Sequence, residues 1–159
     1  AYDDTWKALG FTHVKFVSTL DGRTSKICMS HSDDVYPIDS AHPRPPLHYN
    51  CRSVLIGVDA DGKLSGKRPF VADSRKVRDI PKDQREGIIG QVDANTTFKS
   101  WFAQQDEEFK REWLGKSKYK LYAEGGYSLD RFVDPIGREY TLKELELMDK
   151  KTFKNLGLL

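Results

Sequence analysis

The chain has 159 residues, 38% hydrophobic and 31% charged, enough to bury one core beneath a wet surface. Its 26 Lys and Arg against 24 Asp and Glu leave a formal net charge of +2, too small by itself to imply nucleic-acid binding. No apolar run approaches the roughly 18 residues of a membrane-spanning helix, no signal-peptide pattern opens the chain, and two cysteines do not make a secreted disulfide scaffold. The expectation is synthesis in a reducing cytoplasm, with no membrane partner. The opening Ala in place of Met reads as a processed or trimmed chain.

Residues 3–9, DDTWKAL, read as the end of a helix that Gly10 stops. Residues 13–18 alternate polar and apolar, the pattern of a half-buried strand with Val14 and Phe16 on one face and His13 as a plain strand residue. The Asp21-Gly22 pair then turns the chain, with Asp21 expected to hold the turn and Arg23 to brace the loop. Residues 52–58, RSVLIGV, read as the return strand, buried on both sides near its middle.

Between these strands, residues 21–53 hold both cysteines and three of the four histidines. Two short pairs stand out, Cys28-x2-His31 and His48-x2-Cys51, with sixteen residues between them. A two-residue gap lets both side chains of a pair turn toward one point. Four soft N and S ligands brought together suit a tetrahedral ion, so Cys28, His31, His48 and Cys51 are candidate ligands of one structural zinc per chain. A closed four-ligand sphere would make that ion a staple for a long, proline-stiffened loop. Other states stay open. Cys28 and Cys51 can form a disulfide adding ~3 kcal/mol, or remain separate buried thiols, and the histidines can cap or solvate the loop. His42 can also stand in for His31, although Pro43 beside it favours extended backbone.

Residues 59–95 carry the weakest pattern. Asp61-Gly62 marks a turn, and Gly66, Pro69 and Pro81 interrupt every helix. Cations are dense, and Lys67, Arg68, Arg75, Lys76 and Arg78 are candidate contacts to nucleic acid or to an acidic partner surface. The competing reading is a solvated, extended connector, since only Phe70 and Val71 offer apolar anchors and no aromatics interleave for base stacking. From Thr96 onward short helices are expected. Thr96 or Thr97 caps the first, Asp106 the second and Ser117 the third, with stops at Gly115 and at Gly125-Gly126. Ser128 opens a short turn, and Thr141-x-x-Glu144 is a capping box before Leu142, Leu145 and Met148. The dense aromatics of this part read as core. The fold class is therefore α+β: a small antiparallel sheet with a zinc-stapled loop, then a module of short helices. The division is 1–58 for the core, 59–95 for the connector and 96–159 for the helical module.

A resemblance is carried by Ser18-x-Leu20-Asp21-x-Arg23-Thr24, Cys28-x-x-His31 and Pro45-Pro46-Leu47-His48-Tyr49-Asn50-Cys51-Arg52-Ser53. The pattern resembles the signature of the phage Mu F-like minor head proteins, also called the phage head morphogenesis family. His31 stands where that family usually has a second cysteine, and the usual glycine after the pair is missing. The tail is also similar, through Trp101-Phe102, Leu114-Gly115-Lys116, Gly125-Gly126 and Phe132-Val133-Asp134. The resemblance implies a virion component near the portal, acting in head assembly, DNA packaging or ejection. Portal or major capsid proteins would be its partners, with packaged DNA as a further one, and the host cytoplasm its location during assembly. Members of that family usually carry an N-terminal helical region, which this sequence does not show, and a core distantly similar to the ADP-ribosyltransferase fold. An alternative is a phage-borne enzyme or toxin on the same scaffold, such as a zinc nuclease or a transferase. The sole Glu-x-Glu, Glu144-Leu145-Glu146, sits in the capped helix and reads as a solvated face; no phosphate loop, His-Glu-x-x-His or Gly-x-Ser-x-Gly is present. No catalytic set is expected.

Overall fold

A computed structural model describes residues 2–159. Helix α1 (Tyr2–Ala8) ends before Gly10, which takes φ +91°, a left-handed value that costs glycine nothing. Strand β1 (His13–Val17) is followed by the two-residue β2 (Leu20–Asp21), by α2 (Lys26–His31) and by β3 (Val35–Pro37). Strand β4 (Val54–Val58) then returns beside β1. These give an antiparallel sheet in the order β3-β1-β4, with His13 opposite Val58 and Val17 opposite Val54.

The alternation in β1 sends Val14 and Phe16 into fully buried sites. The strand is more buried than its pattern implies, because Lys15 on the other face is also covered and donates to the Gly62 carbonyl at 3.2 Å. Strand β4 departs the other way: Val54 is half exposed, and only Gly57 and Val58 are buried. Helix α1 lies on its end. A Cβ on Gly57 would come within 2.7 Å of the Phe11 ring and 2.8 Å of the Trp6 indole, so only glycine lets the helix approach.

Residues 59–95 are not a plain connector. Strands β5 (Lys67–Val71) and β6 (Ile89–Asp93) form a second sheet, in which β2 pairs parallel with β5 and β5 antiparallel with β6. The prolines hid it. Strand β2 reaches only Phe70 and Val71, so one side of β5 is unpaired at Pro69, a setting in which a strand tolerates proline. Phe70 and Val92 turn toward the main core from this sheet.

The helices follow their caps. Helix α3 (Phe98–Ala103) is capped by Thr97, whose side chain accepts from Ser100 N, and α4 (Glu107–Leu114) by Asp106, which accepts from Phe109 N. Gly115, at φ +85°, ends α4, and α5 (Lys116–Ala123) starts at once without a side-chain cap, so Ser117 lies inside that helix rather than before it. A single 3-10 turn, Leu129–Phe132, follows Ser128. Helix α6 (Leu142–Met148) has the full Thr141/Glu144 capping box. Helix α7 (Lys150–Asn155) was not expected from the sequence; its signal is Asp149, which accepts from Thr152 N.

Phe98, Trp101, Phe102, Phe109 and Trp113 form one aromatic cluster, with neighbouring rings 5.1–6.2 Å apart. Leu20 of β2 and Met29 of α2 are fully buried in the same core, so the helices close directly over the strand and helix that carry the first motif. The Trp113 indole N–H donates to Thr24 O at 2.9 Å, a polar tie across the same junction.

Arg68 overturns its reading as a nucleic-acid or partner contact. It is 7% exposed. Its Nη1 donates to Asp33 Oδ1 at 3.0 Å and to Thr96 O at 2.6 Å, and its Nη2 to Ser18 O at 2.5 Å. The other Asp33 oxygen accepts from Phe98 N at 2.9 Å, at the start of α3. The guanidinium is turned inward on three acceptors and its Nε is buried without a partner, so none of its donors is presented to a phosphate outside. Arg68→Ala would leave the Asp33 carboxylate buried without its partner, and urea denaturation is expected to show a loss of about 3–5 kcal/mol.

At the other end, Arg138 donates to Glu144 Oε2 at 2.7 Å and holds that carboxyl down at about 2. A depressed carboxylate adds stability above its unfolded pKa and loses it as pH falls through the folded one. NMR titration should find Glu144 ionising near 2, and Arg138→Ala should return it toward the usual carboxylate range.

Candidate metal centre

Two local structures build the site. Ser25 caps α2, its Oγ accepting from Cys28 N at 3.2 Å, which fixes Cys28 in the first helical turn. Across from it, Cys51 N donates to His48 O at 3.2 Å and closes a turn over residues 48–51. Asn50 sits in that turn at φ +62°, a conformation that asparagine accepts more readily than other residues with a side chain. The turn brings His48 and Cys51 to one side, facing Cys28.

Cys28 Sγ lies 3.2 Å from His48 Nε2 and 3.6 Å from Cys51 Sγ, and the three ligand atoms all fall within 4.8 Å of one another. Both cysteines are free, and their sulfurs are well beyond the roughly 2.05 Å of a disulfide bond. The spacing matches coordination instead. Zinc–sulfur bonds of about 2.3 Å in a tetrahedron place two sulfurs about 3.8 Å apart. The group can hold a metal ion.

The surroundings prepare it. His48 Nδ1 lies 2.8 Å from Tyr49 O, and since a carbonyl only accepts, Nδ1 carries the hydrogen and Nε2 the lone pair in the neutral ring. That is the usual outer partner of a ligating histidine. Ser25 Oγ also meets Nε2, at 2.9 Å. Burial pushes the Cys28 thiol up, with Ser25 and Ser53 opposing it. Burial acts on Cys51 too, but hydrogen bonds from the Leu47 and Ser53 backbone and from the Cys28 and Ser53 side chains bring it below the ordinary thiol value. Cys51 is therefore the readier thiolate of the pair.

Asp21 braces the site, though not through Arg23. Its Oδ1 accepts from Arg23 N at 2.9 Å and from Thr24 Oγ1 at 3.2 Å, which holds the turn as expected. The guanidinium that grips it belongs to Arg52, with Nη2 2.9 Å from Oδ1 and Nη1 on Oδ2. Asp21 and Thr24 from the first motif are thus tied to Arg52, the residue after Cys51.

His31 does not join this group. On α2 the two-residue gap sets His31 about 4.5 Å further along the axis and about 60° around it, a separation a helix can bridge to one ion, but here the side chain turns the other way. His31 instead meets the Phe16 ring edge-on, with centroids 5.8 Å apart, and faces Gly137, where a Cβ would lie 3.3 Å from its Nε2. His42 is not a substitute either. Its ring is fully buried, stacked on Tyr36 at 5.7 Å, with Nδ1 3.0 Å from Pro43 O and Nε2 3.4 Å from Asp3 Oδ2. His13 pairs with Thr12 Oγ1 at 2.7 Å.

Of the remaining cations, Lys67, Lys76 and Arg78 are exposed. Arg75 is also exposed but clamped on Asp73, through Nε at 3.0 Å and Nη2 at 2.8 Å. The residues that sequence reading passed over are Ser25, Asn50, Arg52 and Ser53. Ser25 had a local signal, a helix-capping serine three positions before Cys28, and Asn50, Arg52 and Ser53 stand in the quoted Pro45–Ser53 block without having been given a role. Compared with family models, curated proteins and solved structures, the chain finds no match.

Asn50→Val would place a β-branched side chain in the left-handed region, at a cost of roughly 1–2 kcal/mol. Metal uptake, followed with a chromogenic zinc competitor, should weaken in that variant and be kept in Asn50→Gly.

Proposed function

We propose that the protein is a structural, metal-stapled component of a tailed-phage head, and that the ion is zinc. The observation that carries the metal reading is the convergence of Cys28, His48 and Cys51 at ligand spacing from two segments far apart in sequence. Two thiols and an imidazole are soft donors of the kind zinc selects. Bound there, the ion would fasten the start of α2 to the 48–51 turn and hold the long loop on the first sheet.

The head role rests on the sequence resemblance. What supports it is that the two halves of the quoted pattern form one physical unit: Asp21 and Thr24 with Arg52, and Cys28 with His48 and Cys51. Portal or major capsid proteins remain the proposed partners, and Lys67, Lys76 and Arg78 the cations left for an acidic surface. A nuclease or transferase would need a carboxylate free to move a proton beside the metal. Asp21 is committed to Arg52, Arg23 and Thr24, and Glu144 to Arg138.

Elemental mass spectrometry of the purified protein should find about one zinc per chain, lost on chelation. At free zinc a thousandfold above its dissociation constant the ion adds about 4 kcal/mol, so chelation should lower the melting temperature by several degrees. Cys51→Ser should lose the metal and that stability together, whereas His31→Ala should keep the metal. Zinc content unchanged in Cys51→Ser would sink the metal reading. The head role would be lost if mass spectrometry of purified phage heads from the source cells did not detect the chain.

A further inference from the structure

Among the described residues, no fourth Cys, His, Asp or Glu joins Cys28, His48 and Cys51. The space next to the group is shaped. Cys28 and His48 line a cavity of about 20 Å³ together with Ser25, Thr24, Arg23 and Arg52. One water needs roughly 10–15 Å³ and two or more polar partners, so the cavity admits one ligand atom beside the ion, and at the exposed Arg23 it opens to solvent, where the rest of a short linear anion can extend. Cys51 borders a separate groove floored by Trp6 and by Pro45 and Pro46. Four hydroxyls, of Thr19, Thr24, Ser25 and Ser53, and two guanidiniums line the cavity. Thr24 Oγ1 is already engaged by Thr19 O and Asp21, and Ser25 Oγ by His48 Nε2, so the guanidiniums are its main donors, and only that of Arg52 is matched by a carboxylate, Asp21. Arg23 is exposed and pairs with no acidic side chain among the described residues.

We infer that the metal site is open: its fourth position faces the cavity between Ser25, Arg23 and Arg52, and is filled by an exchangeable water or small inorganic anion rather than by a protein side chain. This rests on the metal reading above and goes beyond it. Three protein ligands and an outside one differ from the closed sphere of a purely structural zinc. Two thiolates neutralise a divalent ion, so the unmatched Arg23 charge is what favours an anion over water there. His31, held between Phe16 and Gly137, takes no part.

Cobalt(II) in place of zinc tests both levels separately. Cobalt bound by two thiolates gives a sulfur-to-metal charge-transfer band in the near ultraviolet, and its visible d–d bands report the whole coordination sphere. The intact protein is expected to show the charge-transfer band, and titration with sodium azide to shift the d–d bands saturably. His31→Ala should give the same spectrum and the same azide response. Arg23→Ala should keep the spectrum but weaken azide several-fold. A missing charge-transfer band defeats the metal reading itself. A charge-transfer band with d–d bands indifferent to azide leaves the metal in place and overturns the open position. A d–d spectrum altered by His31→Ala overturns it too, because His31 would then be a ligand.

Discussion

The buried ion pair of Arg68 and Asp33 is the point on which the two sheets and the helical half depend. Arg68 sits on β5, Asp33 between α2 and β3, and the same guanidinium reaches the Ser18 carbonyl just after β1 and the Thr96 carbonyl just before α3. Asp33 completes the junction by accepting from Phe98 N. Four chain segments are joined by one charge pair, each half of which is 8% exposed at the side chain. Such a pair adds little net stability over an apolar substitute, but removing one member is costly because it leaves the other charge buried. Asp33 adopts φ +70° to make these contacts, so backbone strain is accepted at the junction as well.

With that junction set, the chain divides its means of stabilisation. The main hydrophobic cluster belongs to β2, α2 and the helices, fifteen buried residues dominated by aromatic rings. The first sheet has far less. Val14, Phe16, Ile38 and Val58 are buried there but lie outside that cluster. The long loop from β3 to β4 is held mainly by charged groups and one ring stack: Arg44 on Asp3, the buried His42 ring on Tyr36, and Arg52 on Asp21. Each fixes one stretch of backbone that an apolar core does not.

The helical half was the most legible in the sequence because its signals are local. Thr97, Asp106 and the Thr141/Glu144 box act on the next three residues, so a pattern read from neighbours survives folding. Residues 59–95 were illegible for the opposite reason. Arg68 looks like any cation in a basic stretch, and what makes it a core residue is Asp33, thirty-five positions away. Strand β5 carries a proline that composition counts against it, and only the shortness of β2 excuses it. The metal group falls between these cases. His48 and Cys51 converge because a turn with Asn50 at its left-handed position intervenes, and spacing alone was a fair guide to them. Cys28 and His31 have the same spacing on a helix, where the two side chains can still share an ion; what separates them is the packing of His31 against Phe16 and Gly137, residues distant in sequence that no local pattern announces.

The placement of the metal group is also what a thin core calls for. The first sheet must hold a loop of sixteen residues, 38–53, between β3 and β4, and ordering each residue costs on the order of 1–2 kcal/mol of backbone entropy. Apolar burial in that loop is small, with Ile38 as its only fully buried aliphatic residue. An ion at Cys28, His48 and Cys51 would act where the loop re-enters the sheet, two residues before β4 begins, and its binding free energy would count directly toward folding. A closed four-protein sphere is not required for that. Three ligands from two segments would by themselves fix the crossing point, so an ion there could take its fourth partner from outside without loosening the loop.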